Sequence, residues 1–442
     1  MLRSCLCVLS CILSVIAVLF TSNAQAISTI RDAESESLLE DMARPLLLAA
    51  GLTPGNVELV IVNNQSINAF VAGGANIFIH TGLITEARTS LELMGVLAHE
   101  SAHIAAGHLG RHQDQIKRAS AKGLAAVVLG LGAAVVSKNN DVAVAATQKG
   151  REIAYNDILS FSRAQESQAD QLAVTYLDSA GISSKGLSSF LATLQQRDYL
   201  MGGDSYWRTH PMSRDRVRML EANINRSRNK ERTPSFALEQ RFARVKAKIF
   251  AYLKSEKAVR QAYPLSDTSL AARYARAVSA YRNKSIDTAL DHILPLISEY
   301  PQDPYFHELL AQTVFEHGLV EEALLSYQQA ISLAPQSAIL RASYAHALMA
   351  SGNTVRTQEA AIQLDRALVS EPRNANFWHS LAKAQGTLGQ QTLAQLSLAE
   401  ASLASRDFEN AKIYAKRVQD LSQEQSPQWR RAMDIQRLAQ KN

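Results

Sequence analysis

Two histidines four residues apart with a glutamate behind the first, His99-Glu100-Ser101-Ala102-His103, form the most chemically loaded stretch of this chain. The apolar lead-in Met94-Gly95-Val96-Leu97-Ala98 suits a buried helix. On a helix, residues four apart share a face, so both imidazoles can aim at one ion. Zinc prefers such nitrogen donors in tetrahedral geometry. Glu100 lies one step further round, placed to take a proton from a water that the metal acidifies and to hand it to a leaving amine. A third ligand is needed. A histidine ten residues after the first would serve, but Leu109 stands there. His108, five positions after His103, turns away from the ligand face and reads as structural. Glu166 in Ser162-Arg163-Ala164-Gln165-Glu166-Ser167-Gln168-Ala169-Asp170 is the better candidate, closing a His, His, Glu set with one position left for water. Asp170, one turn on, can accept from a ligand histidine's other nitrogen and fix its tautomer.

A further histidine, His210, stands before Pro211 and downstream of Gly202-Gly203. Two functional readings stay open beside that of a surface turn. His210 can be a donor that stabilises the oxyanion formed on a peptide carbonyl. It can also be a fourth ligand that keeps the site latent until its loop moves. Arg216 is expected to fix that loop through a carboxylate or a carbonyl.

The elements that must position these residues follow from periodicity. Ile27 to about Gly51 is expected as a helix, with Leu38, Leu39, Met42 and Leu46 at helical spacing. Val57–Val62 and Phe70–Thr81, the latter broken at Gly73-Gly74, read as strands. Strand Ala75–Ile79 lies just before the histidine helix. Ser90–His112 is expected as one helix capped by Ser90, and Asp157–Ala180 as a second, ended by Gly181. Leu124–Val136 is apolar yet too short to cross a bilayer. It reads as a buried helix or flap, or as a peripheral membrane contact.

The chain's 442 residues suffice for two or three domains, with 47% hydrophobic and 20% charged residues, as in soluble globular proteins. A formal charge of +5, from 46 basic against 41 acidic residues, gives no reason to expect nucleic acid as a partner. Residues 1–26 read as a cleavable signal peptide, with Arg3, the apolar run Leu6–Phe20 and Asn23-Ala24-Gln25-Ala26. All three cysteines (Cys5, Cys7, Cys11) lie inside it, so a mature chain has neither a disulfide nor a thiolate site. Its metal must be held by His, Asp or Glu.

From Leu270 the texture changes. Ala289, Ala323, Ala360 and Ala394 recur at intervals of 34, 37 and 34 residues. Pro301, Pro335 and Pro372 each follow the first three by twelve, and Gly318, Gly352 and Gly389 fall in matching turns. About three extra residues near Asn353-Thr354-Val355 account for the longer interval. This pattern resembles the tetratricopeptide repeat, and Asp407 to the end reads as helices capping the stack. Arg228–Lys257, basic and partly helical, reads as a solvated linker.

From Val57 to Arg218 the chain resembles the zinc metallopeptidase family that includes the CAAX prenyl endopeptidase and HtpX. The resemblance rests on Ser66-Ile67-Asn68-Ala69-Phe70, Gly73-Gly74, His80-Thr81-Gly82-Leu83, the two metal motifs, and Thr209-His210-Pro211 followed by Arg216. It implies a mainly α, gluzincin-like peptidase domain with a small β-sheet, before an α-helical repeat solenoid. It also implies one Zn²⁺ per chain, held by His99, His103 and Glu166, and internal cleavage of polypeptides, with an extended substrate paired to an edge strand, expected here as Ala75–Ile79. Periplasmic members with such repeats imply quality control of unfolded or misassembled outer-membrane proteins, the repeats docking substrate or a partner such as the assembly machinery. The expected units are a signal peptide at 1–26, a peptidase domain at 27–228, a helical linker at 229–268 and repeats at 269–442. Two alternatives remain: an assembly factor or chaperone acting mainly through its repeats, and a processing protease for one precursor.

Overall fold

The computed structural model describes residues 28–108, 163–201, 206, 209–283 and 285–440. The expected signal peptide, the apolar stretch Leu124–Val136 and the first turns of the Asp157 helix lie outside them. The described residues form a mainly α protein, with eighteen α-helices and one four-stranded sheet. A unit of helices and sheet is followed by an α-helical repeat solenoid.

A two-residue strand β1 (Thr29–Ile30) precedes helix α1 (Ala33–Ala49). Asp32 caps α1 by accepting from the Ser35 amide. The helical stripe Leu38, Leu39, Met42 and Leu46 is buried. Next come β2 (Glu58–Val62), β3 (Ala69–Ala72) and β4 (Asn76–His80). Gly73 and Gly74 take positive φ and turn the β3–β4 hairpin. The sheet order is β1-β2-β4-β3, with β2 and β4 parallel and the other pairs antiparallel. This corrects the expected edge strand. The hairpin folds β3 onto one side of β4 while β2 takes the other, so Ala75–Ile79 is interior and β3 is the edge nearest the histidines.

Helix α2 (Thr81–Glu86) leads to α3 (Ser90–Ala105). The cap of α3 is Thr89, whose hydroxyl accepts from the Glu92 amide at 3.3 Å. Ser90, the expected cap, instead donates its hydroxyl to Glu239 at 2.7 Å. Most of α3 is buried, as its apolar circumference requires. Helices α4 (Arg163–Ser179) and α5 (Lys185–Met201) pack against it, and α6 (Arg214–Arg226) packs against both of these. The approach of α5 is close. A Cβ added at Gly186 would lie 2.1 Å from the Leu91 carbonyl oxygen, so only glycine fits there.

Helices α7 (Phe236–Leu253) and α8 (Glu256–Ala262) occupy the expected linker. Far from being solvated, α7 is shared by two cores. Phe242, Val245 and Ile249 enter the core of the first unit, while Ala247 and Ala251 pack with Tyr274 and Phe306 of the repeats. Two of its basic residues are buried against carboxylates. Arg244 pairs with Glu34 at 2.7 Å and Asp303 at 2.5 Å, and Lys248 pairs with Asp32.

Five helix pairs follow: α9 (Leu270–Asn283) with α10 (Ile286–Glu299), α11 (Pro304–Glu316) with α12 (Val320–Leu333), α13 (Ala338–Ala350) with α14 (Thr354–Ser370), α15 (Ala375–Thr387) with α16 (Gln391–Ala404), and α17 (Phe408–Leu421) with α18 (Pro427–Gln440). Ala289, Ala323, Ala360 and Ala394 are all buried between helices. The insertion is visible as length, since α14 has 17 residues where α10 and α12 have 14. Gly318, Gly352 and Gly389 take positive φ in the turns within pairs. One edge of the stack, where one pair leads into the next, receives the start of α1. Ala33 packs with Ala330 and Leu340, and Arg31 reaches Glu371 at 2.8 Å. Among the described residues no helix is long and apolar enough to cross a membrane.

Candidate metal centre

Helix α3 supplies His99, Glu100 and His103, α4 supplies Glu166 and Asp170, and the turn before α6 supplies His210. All six side chains are buried, His99 at 1% exposure and His103, Glu100, Glu166 and His210 at 0%. One donor atom from each of His99, His103, Glu166 and His210 lies within 4.8 Å of the other three. His99 Nε2 is 3.1 Å from His103 Nε2 and 3.3 Å from His210 Nδ1. Glu166 reaches His103 Nε2 at 3.3 Å, His99 Nε2 at 3.4 Å and His210 Nδ1 at 3.2 Å. Tetrahedral zinc with nitrogen bonds of about 2.0–2.1 Å sets its ligand atoms about 3.3 Å apart. The donor set therefore fits such an ion in type and spacing.

The surroundings are ordered behind each donor. Asp170 Oδ1 is 3.0 Å from His99 Nδ1, on the side away from the cluster. Arg216 grips Asp170 with two nitrogens, at 2.7 and 3.0 Å. The same guanidinium donates to the Pro211 carbonyl at 2.8 Å and lies 3.0 Å from Glu166. Arg216 thus ties the His210 turn to α4 through both a carbonyl and carboxylates. The other His210 nitrogen, Nε2, lies 3.1 Å from the Ala69 carbonyl of edge strand β3 and 3.4 Å from Glu100.

These contacts displace the titrations. Burial alone would lower His99, but Asp170 and Glu166 outweigh it and hold it at about 10. Burial depresses His103 to about 3, with His99 and His210 pushing the same way against Glu166. Burial opposes ionisation of Glu166 and Asp170. The imidazoles around Glu166, and His99 with Arg216 around Asp170, still keep both carboxyls below their usual range. Burial raises Glu100, only partly offset by His210 and His99. Both Glu100 oxygens lack a hydrogen-bond partner. A buried carboxyl held in that condition beside a donor cluster is suited to accept and release a proton.

Sequence reasoning named every member of this cluster, but it passed over Tyr206, gave Thr209 no role and turned His108 away from the ligand face. Tyr206 is fully buried and stacks on His210 with ring centroids 4.6 Å apart. It precedes His210 by one helical turn, and that spacing was the available signal. Thr209 donates to Asn68 Oδ1 at 3.1 Å, joining the His210 turn to the loop before β3. His108 lies against His103.

Comparison with known proteins places this geometry. Residues 29–224 match peptidase family M48, and the chain carries a domain of that family. It is 27% identical over 339 residues to the Beta-barrel assembly-enhancing protease of Yersinia pestis, covering 74% of this chain and 68% of that one. The protein of the same name from Escherichia coli (strain K12) is 24% identical over 344 residues, covering 75% and 68%. The Mitochondrial metalloendopeptidase OMA1 of Schizosaccharomyces pombe is 24% identical over 189 residues, 42% of this chain and 52% of that one.

Proposed function

We propose that this chain, with its peptidase family M48 domain, is a periplasmic zinc metalloendopeptidase for unfolded or misassembled proteins, serving outer-membrane protein quality control. The observation that carries the reading is the convergence of His99, His103, Glu166 and His210 donor atoms beside the buried Glu100 carboxylate, whose oxygens accept no hydrogen bond. His99, His103 and Glu166 would hold the ion, which when bound supplies Lewis-acid polarisation of a peptide carbonyl and acidifies water. Glu100 takes up a proton and returns it to the leaving amine. Asp170 orients His99, and Arg216 holds Asp170 and the His210 turn in register.

Substrate would lie along β3, the sheet edge beside the cluster. An extended chain pairs there through its backbone, so unfolded polypeptides are accepted with little regard to sequence. His210 occupies both sides of this arrangement, with Nδ1 among the donors and Nε2 on the Ala69 carbonyl. That position favours the latch over the oxyanion donor, since movement of the turn would free a metal position and a β3 acceptor together. The repeats would dock substrate or an assembly partner, with functional boundaries near residues 228 and 268. The similarity to the two beta-barrel assembly-enhancing proteases supports the outer-membrane setting.

The test is cleavage of an unfolded outer-membrane protein by wild type and by Glu100→Gln, with zinc content measured on both. The reading expects one zinc per chain in each and cleavage only by wild type. Zinc lost from Glu100→Gln would overturn the role given to Glu100, and cleavage by Glu100→Gln would remove the catalytic reading.

A further inference from the structure

We propose that His108 and Gln168 are positioning residues that fix the tautomer and ring plane of His103, a relay separate from the Asp170–Arg216 pair behind His99. The inference rests on the reading of the cluster as a zinc site. His103 presents Nε2 to the cluster, 3.1 Å from His99 Nε2. Its other nitrogen, Nδ1, lies 3.0 Å from His108 Nδ1. The second nitrogen of His108, Nε2, lies 3.2 Å from Gln168 Oε1.

Two imidazole nitrogens at 3.0 Å need one proton between them, so only two arrangements exist. If His108 donated, His103 Nδ1 would be the acceptor, and a neutral His103 would carry its proton on Nε2, the atom facing the donor cluster. That arrangement cannot ligate. If His103 donates from Nδ1, its Nε2 keeps a lone pair for the metal. His108 then accepts at Nδ1 and carries its own proton on Nε2, where Gln168 Oε1 is the acceptor. Every proton has a place, and each depends on the next. The two ligand histidines thus differ in their backing. His99 has a carboxylate locked by a guanidinium, whereas His103 has a neutral imidazole backed by an amide. His108 is fully buried, so water does not substitute for it. Gln168 is exposed, so its replacement leaves the core intact.

Zinc affinity of the whole chain, measured by competition with a chromophoric chelator, tests this beside the unfolding temperature of the metal-free protein. Loss of an outer-shell partner typically weakens metal binding about 10–100-fold. His108→Leu should lose affinity in that range. His108→Asn, whose amide oxygen can replace Nδ1 as acceptor, should recover most of it. Gln168→Leu should weaken binding in the same direction with the metal-free unfolding temperature unchanged, and Gln168→Glu should tighten it. Wild-type affinity in His108→Leu and Gln168→Leu would overturn the relay. So would equal losses in His108→Leu and His108→Asn accompanied by equal drops in metal-free stability, since His108 would then only fill space. A wild-type chain that takes up no zinc would overturn the metal site itself, an outcome distinct from either.

Discussion

Replacing Arg244 by methionine should loosen the repeats and the peptidase unit at the same time. Arg244 is 8% exposed, pairs with Glu34 at 2.7 Å and Asp303 at 2.5 Å, and lies 4.6 Å from the Phe306 ring centre. Methionine keeps most of the apolar stem but leaves two mostly buried carboxylates facing each other. Breaking a buried pair by removing one partner costs roughly 3–5 kcal/mol, most of it the stranded charge. Glu34 keeps the Tyr274 hydroxyl at 2.8 Å and Lys248 at 3.5 Å, so the lower end is expected. The assay is urea unfolding with two signals, helical circular dichroism for the whole helical body and zinc release to a chelating dye for the metal site. Because α7 contributes to both cores, both midpoints should fall together. Adding Glu34→Gln should restore part of the loss, since one stranded charge goes with it. A lower helical midpoint with unchanged zinc release would refute the idea that α7 and its ion pairs make one cooperative body.

Three further outcomes follow. His210→Ala should cleave unfolded substrate faster than wild type and cleave itself more, as loss of a latch requires; loss of an oxyanion donor would instead slow it about 10²–10³-fold, and an unchanged rate would leave a turn histidine. Burial holds Glu308 at about 8, against a partial pull from Lys248 and with Asp32 and Glu34 opposing ionisation. A folded pKa raised above 4.5 means the folded state binds more protons between these values, so stability is full below about 4.5 and falls as pH rises through 8; Glu308→Gln should flatten that fall in urea midpoints measured from pH 5 to 8. A chain ending at Tyr263 strips Tyr274 from Glu34 and Asp303 from Arg244. It should unfold at several kcal/mol less than the whole chain and, kept folded in the cold, cleave a short peptide while failing on a full-length unfolded protein; equal loss on both would confine the repeats to a structural part.

What the sequence revealed and what it hid divide along local and tertiary lines. The donor set was legible because its information is local: residues four apart on a helix share a face whatever surrounds them. The repeat register was legible for the same reason, since each helix pair restates one pattern. Strand order was not. Ile77 and Ile79 alternate as any half-buried strand does, and alternation says nothing about which neighbour lies outside. Only the parallel pairing of β2 with β4 makes β3 the edge. The basic stretch after Arg228 misled because charge predicts solvent only until a partner is known. Arg244 and Lys248 found Asp32, Glu34 and Asp303 from distant parts of the chain.

His108 shows how one local assumption propagates. Reading Ser90–His112 as a continuous helix sets His108 five residues, or 500°, from His103, which points the two rings apart. The helix in fact ends at Ala105, with Ala106 as its cap. Gly107 then takes φ of +66°, a conformation open to glycine and strained for most other residues. That reversal carries the next residue back over the last turn, so His108 meets His103 Nδ1 at 3.0 Å instead of facing away. The sequence did contain the warning, because a glycine after an apolar helix is a stop signal. Gly107→Ala should therefore act on metal affinity through geometry alone. Alanine at that φ costs about 1 kcal/mol, and a chain that relaxes out of the turn withdraws His108 from His103. Weakened zinc binding in Gly107→Ala, comparable with that of His108→Leu and not deepened by combining the two, is the expected result. Additive losses would mean that the turn and the relay act separately.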